Sequence, residues 1–278
     1  MQKSNFKAGV ALCLILILSA CGFGDARTPE QWFNVTWSGL AGSDHLAFRG
    51  QAAIMRGENS KVEESVNFTG ELQDHHQLAL QTVLPSGESG ENTGAVAAVS
   101  GPKTAYTAEL QWQGGTWNLK SNENDAFTRG IARLNPLDQL EDMRTVKKTI
   151  RAEAGAPRGL KILRIELDPE EAKRRLKERL TEDMEAVKAG WQEKLVQVAS
   201  DRRTKVESEL ESEWETGRNQ LEAMLEQAKV KAVYHLTINR KTGLPVRLSS
   251  QTDLDYISGR GIREHEVMVT DSRFGSSG

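Results

Sequence analysis

The chain holds no proline between Pro169 and Pro245, and helical pattern fills residues 169–231 of that stretch. As one rod it would run on the order of 90 Å, at ~1.5 Å per residue. That is longer than a domain of this size is wide, so the segment must project, bend or fold back. Its start is well marked: Asp168 as cap, Pro169 at the first helical position, and Glu170 and Glu171 in the first turn. Leu176, Leu180, Met184, Val187, Trp191, Leu195 and Val198 form one apolar stripe with steps of 4, 4, 3, 4, 4 and 3. This is close to an eleven-residue repeat and suits a nearly straight helix. The stripe weakens across Ser200-Asp201-Arg202-Arg203 and resumes at Val206, Leu210, Trp214, Leu221 and Leu225. The spacing predicts two arms, bent or folded near Ser200. Residues 144–179 hold twelve Lys/Arg against six acids, and residues 182–226 hold twelve acids against six basics. Opposite charge helps the arms lie together, though weakly, as surface pairs do.

On either side of this segment the pattern is that of strands. Leu46, Phe48, Ala52 and Ile54 alternate with polar or small residues, as do Val62, Val66 and Phe68, and Leu78, Leu80, Thr82 and Leu84. Tyr106, Ala108, Leu110 and Trp112 are the clearest case, continued by Trp117 and Leu119 after Gly114-Gly115. Leu160 to Leu167 is a further strand. Tyr234 to Ile238, Val246 to Tyr256 and Ile262 to Thr270 close the series. Period-two alternation gives sheets with one buried and one wet face, and short Gly- and Asn-containing links give an antiparallel meander. Two further helices are expected. Thr28-Pro29-Glu30-Gln31 opens one over 29–40, with Trp32, Phe33, Thr36, Trp37 and Leu40 on one face. Asn135-Pro136 opens another, whose stripe of Leu137, Leu140, Met143, Val146 and Ile150 runs to a stop at Gly155 and Pro157. The Gly- and Ser-rich residues 85–102 form a loop. The fold class is α+β: a curved antiparallel sheet with packed helices and a long helical arm or hairpin, in one domain over 29–270, with 271–278 frayed.

The N-terminus carries an address. Lys3 and Lys7 precede an apolar run from Ala8 to Leu18, too short for a comfortable membrane span. Leu18-Ser19-Ala20-Cys21 resembles a bacterial lipobox. The resemblance implies a signal peptide over 1–20, cleavage before Cys21, a diacylglycerol on that thiol, and a short tether over 21–28. The membrane lipid is then the first partner, through acylated Cys21, and the location is the extracytoplasmic side of the cell membrane, or the outer membrane in a cell that has one. The only other cysteine, Cys13, lies in the leader, so the mature body is left without disulfide, thiol nucleophile or cysteine metal site. The 36 basic residues less Lys3 and Lys7 leave 34 against 39 acidic ones, a balance that gives no reason to expect nucleic-acid binding.

The order of elements is lipobox, aromatic helix, five strands, helix, strand, long helix, three strands. It resembles the half-barrel lipoproteins of the LolA/LolB and LppX/LprG type. Residues 236–248, Leu-Thr-Ile-Asn-Arg-Lys-Thr-Gly-Leu-Pro-Val-Arg-Leu, are similar to a hairpin near the C-terminus of that group, with Asn239 where Asp is usual. The resemblance implies a sheet curled around helices and an apolar cavity between them. The long helical segment exceeds the helices usual in the group and reads as an insertion.

No catalytic constellation emerges. His75 and His76 are chain neighbours, which on a strand point to opposite faces, so they suit a turn better than a shared metal. His45, His235 and His265 are scattered among polar positions. No phosphate loop, nucleophile elbow or metal-binding helix is present. The expectation is therefore a protein that is not an enzyme and takes no cofactor or metal. It binds a lipid or other apolar ligand between sheet and helices, with Phe48, Phe68, Leu110 and Trp112 facing the ligand. The alternative is a structural or interaction lipoprotein whose long helices recruit an envelope or membrane protein partner. Lys147, Lys148 and Arg151 are candidates to face the membrane, where each basic residue contributes about 1 kcal/mol next to anionic lipid.

Overall fold

The computed structural model describes residues 27–57, 61–83, 105–120 and 126–275. The expected signal peptide, Cys21, most of the expected 21–28 tether, the expected loop over 85–102 and the last three residues lie outside the described residues. Ten strands form one antiparallel sheet: β1 (His45–Arg56), β2 (Lys61–Gln73), β3 (Gln77–Val83), β4 (Ala105–Gln113), β5 (Thr116–Leu119), β6 (Lys148–Ala152), β7 (Leu160–Leu167), β8 (Lys229–Asn239), β9 (Pro245–Ile257) and β10 (Arg263–Gly275). Their order is β5-β4-β3-β2-β1-β10-β9-β8-β7-β6. Two meanders therefore meet in mid-sheet, where β1 pairs with β10 from Ala47↔Gly275 to Arg56↔Glu266. The sheet is not closed, since β5 and β6 are its edges. The fold is α+β, a half-barrel whose apolar face is covered by helices.

Five helices stand among the described residues: α1 (Pro29–Ala41), α2 (Ala126–Ala132), α3 (Pro136–Thr145), α4 (Pro169–Leu195) and α5 (Ser200–Gln227). The start of α1 follows from its sequence. The Thr28 side chain accepts from the Gln31 backbone N–H, and the Gln31 side chain accepts from the Thr28 backbone N–H. This fixes the face that carries Trp32 and Phe33 into the core, each 2% exposed. One core cluster joins α1, α2, α3, the start of α4 and eight of the strands, β1–β4 and β6–β9, through residues such as Phe48, Phe68, Leu80, Leu140, Leu163, Ile165 and Leu236.

Residues 169–227 form a helical hairpin. The chain turns between Leu195 and Ser200, as the weakened stripe predicts. Trp214 Nε1 donates to the Met184 carbonyl at 2.8 Å, while Lys188 bonds Glu211 at 2.5 Å and lies 4.3 Å from the Trp214 ring centre. At its base α4 is clamped to α3. Arg175 bonds Asp142 at 3.0 Å, Arg179 pairs with the same carboxylate, and Arg133 donates to the Arg179 carbonyl at 2.9 Å. Asp138, one turn before Asp142, has its pKa pushed up to about 6 by burial and by the Asp142 charge, against the pull of Arg179 and Arg175.

Three sequence expectations are corrected. The helix opened by Asn135 ends at Thr145, and Ile150 belongs to β6, opposite Ile165. Thr145, Val146, Thr149 and Ile150 are β-branched and favour extended backbone, and Lys148 Nζ bonds the carbonyls of Arg144 and Val146 at the helix end. Helix α2 was not expected. Residues 271–275 continue β10, paired with β1 throughout and with β9 as far as Arg273, where a frayed end was expected.

Candidate ligand-binding trough

The sheet divides its residues by parity. On β1, Leu46, Phe48 and Ala52 point into the helix-covered core, so Ala47, Arg49 and Gln51 point the other way. The registers join such outward residues into one lateral row: Thr107, Gln81, Thr69, Arg49, Arg273, Arg247, Thr237 and Ile162. Laid flat, the row would be roughly 34 Å long, at ~4.8 Å per strand. Yet all eight residues line one open cavity of about 910 Å³. Twist makes a sheet saddle-shaped, concave along one diagonal on each face. The outward face is thus a trough as well.

Most of the trough's lining is apolar, with Leu160 and Ile162 of β7 at one end and Ala47 and Ala79 toward the other. Its charged lining is three arginines against Glu71. Arg247 is matched by Asp271, which takes its Nε at 2.6 Å and its Nη2 at 3.0 Å and holds the guanidinium pKa above the usual arginine value. Arg49 and Arg273 stand directly opposite each other, and neither has a hydrogen-bond or ion-pair partner among the described residues. A second row, Arg151, Arg164, His235, Ser249, Asp271, Gln51 and Asn67, runs beside the first. In it, His235 pairs with Glu153 at 3.1 Å and Arg164 with Glu166 at 3.5 Å.

Of the residues singled out in the sequence, only Phe48 also borders the trough, from the core side of the sheet. Phe48, Phe68 and Leu110 are 4%, 2% and 3% exposed, on the helix-covered face. There they fill the space between sheet and helices as core. Trp112 is half-buried beside Trp117, ring centres 5.4 Å apart. Lys147 bonds Asp168 at 2.7 Å, which raises the lysine pKa and lowers the carboxylate's. Lys148 is turned inward to the α3 carbonyls, with its pKa lowered by burial. Arg151 is exposed on edge strand β6. His75 and His76 sit at the β2–β3 turn, where His75 Nδ1 meets Asp44 at 2.5 Å. Among the described residues no group of His, Cys, Asp and Glu could hold a metal, and no helix is long and apolar enough to cross a membrane. The sequence reading missed Arg49 and Arg273. The signal was the strand pairing, which no local pattern carries.

No family model matches the chain, and no curated protein matches its sequence. Among solved structures the chain is similar to lipovitellin, at 8% identity and a TM-score of 0.36 over 84% of this chain and 25% of that one. The chain thus spans a quarter of lipovitellin's length. It is also similar to a LolA superfamily protein from Nitrosomonas europaea, at 9% identity and a TM-score of 0.26 over 89% of this chain and 94% of that one. Likenesses this weak identify neither ligand nor mechanism, so both have to come from the two faces of the sheet.

Proposed function

We propose that this is a non-enzymatic, lipid-anchored binding protein of the cell envelope, held to the membrane by acylated Cys21 and carrying an apolar chain in the outward trough. The single observation behind the binding site is the contrast between the two faces of the sheet. The helix-covered face is packed with Phe48, Phe68 and Leu110, each under 5% exposed, whereas the outward face offers a mostly apolar trough of about 910 Å³. That volume falls within the range of ordinary ligand sites, about 300–1,000 Å³. The ligand therefore belongs on the outward face of the sheet and not between sheet and helices. The anchor rests on Leu18-Ser19-Ala20-Cys21. Metabolic labelling with palmitate tests it: label on the native chain and none on Cys21→Ser supports it, and equal labelling overturns it.

Uptake of a fluorescent fatty acid by the full chain in mild non-ionic detergent tests the site. Ile162→Glu puts a charge on the apolar floor and weakens uptake. The same change at Ile262, 56% exposed and outside the trough, leaves uptake alone. Absence of uptake by the native chain removes the reading. The second reading, recruitment of an envelope protein by the hairpin, has one observation in its favour: Val187 and Val196 are 50% and 73% exposed on α4 and at its end. Crosslinks from Val196 to a protein in intact cells would favour it.

A further inference from the structure

We infer that the trough selects an anionic lipid, with Arg49 and Arg273 receiving a phosphate headgroup while the acyl chain lies toward Leu160 and Ile162. This rests on the trough being the ligand site, and names the class of lipid it takes. Three arginines on three adjacent strands, Arg49 on β1, Arg273 on β10 and Arg247 on β9, fall in one lateral row. Like charges placed directly opposite on a sheet repel, and the sheet is less stable for it. Arg247 is relieved by Asp271. No ion pair joins Arg49 or Arg273 to a described carboxylate, and the nearest on β10, Asp271, is engaged by Arg247. An anion between them removes the repulsion and gains charge-assisted hydrogen bonds, and the planar guanidinium fork matches phosphate oxygens two at a time.

The occupant is a lipid rather than a free anion because of what surrounds the pair. The same cavity continues into apolar walls at Leu160, Ile162, Ala47 and Ala79. A bare phosphate would leave those walls wet. An acyl chain covers them, and each methylene taken out of water adds to the binding. Glu71 lines the cavity two residues along β2 from Thr69. It leaves the lining with a net positive charge and disfavours a doubly charged head brought close to its side.

The test is native mass spectrometry of the full chain in a maltoside detergent, titrated with dioleoyl phosphatidylglycerol, dioleoyl phosphatidylcholine or glycerol 3-phosphate. Selection predicts phosphatidylglycerol bound about ten-fold or more tightly than phosphatidylcholine. The preference disappears in Arg49→Gln/Arg273→Gln, which binds the two lipids equally, and an unchanged thermal midpoint of that variant shows that the fold is intact. Equal binding of the two lipids by the native chain overturns the selection and leaves the lipid site standing. Glycerol 3-phosphate bound as tightly as the lipid overturns it in favour of a free-anion site. Binding of none of the three removes the lipid reading itself.

Discussion

The ring of Phe48 occupies the space that a side chain on Gly70 would need: the two are cross-strand partners on β1 and β2, and a Cβ on Gly70 would overlap the ring. Two residues along, the arrangement is reversed, with Phe68 lying over Gly50. The two Phe–Gly pairs form a flat aromatic layer against the sheet in the very place where a ligand-holding half-barrel would be hollow. Gly70→Ala therefore overpacks the core and lowers the unfolding free energy by about 1–3 kcal/mol. Combining it with Phe48→Leu makes room and returns part of the loss, which a double-mutant cycle in denaturant reads directly.

Asp138 gives a pH signature. Its pKa is about 6 in the folded chain against 3.8 as the ordinary value, so the folded state holds the proton more tightly. The stability this contributes is complete below pH 3.8 and is lost as pH rises through about 6. Asp138→Asn cannot ionise, so its stability relative to the native chain rises across that window, by roughly 3 kcal/mol in all. Thermal midpoints of both chains between pH 3 and 8 check this. Asp142, Glu141, Arg175 and Arg179 face the same group, and Asp142→Asn shifts the transition to lower pH.

Trp214 fastens the two arms of the hairpin to each other. Its indole N–H satisfies the Met184 carbonyl, and Lys188 and Arg218 cover the ring, 4.3 and 5.3 Å from its centre. Trp214→Ala speeds amide hydrogen exchange in α4 and α5 beyond Met184, with protection in β7 to β10 unchanged. Loss of protection in the sheet as well would show that hairpin and sheet unfold as one unit.

Lys147 and Asp168 form an exposed pair, with the lysine side chain 80% accessible. Lys147→Ala leaves the thermal midpoint essentially unchanged, since solvent screens an exposed pair. If Lys147 faces the membrane as well, the same variant releases the body from anionic vesicles at lower salt, measured by sedimentation.

The caps at Thr28 and Asp168, the alternation of Tyr106 to Trp112 and the break at Ser200 are local signals, and each element stands where they put it. The Asn239 turn works similarly: its side chain accepts from the Lys241 and Thr242 backbones at 2.9 and 3.3 Å, the bonds an Asp would make. Ile150 was misplaced because its spacing from Val146 fits a helix, while the decisive partner, Ile165, lies fifteen residues on in another strand. The apolar residues of alternating strands were legible as one face, but what covers that face was not. Phe48 and Phe68 look equally suited to a ligand and to a core until Gly70 and Gly50 are brought against them and the helices close the same core cluster. The arginine row is non-local altogether, since Arg49 and Arg273 are joined only by the pairing of the first strand with the last.

The most direct test of the account is to locate the ligand. A diazirine-bearing fatty acid, photolysed on the full chain and mapped by peptide mass spectrometry, should mark Leu160, Ile162 and Ala79 on the outward face. Marks on Trp32, Phe33 or Leu110 would place the chain between sheet and helices and contradict the account.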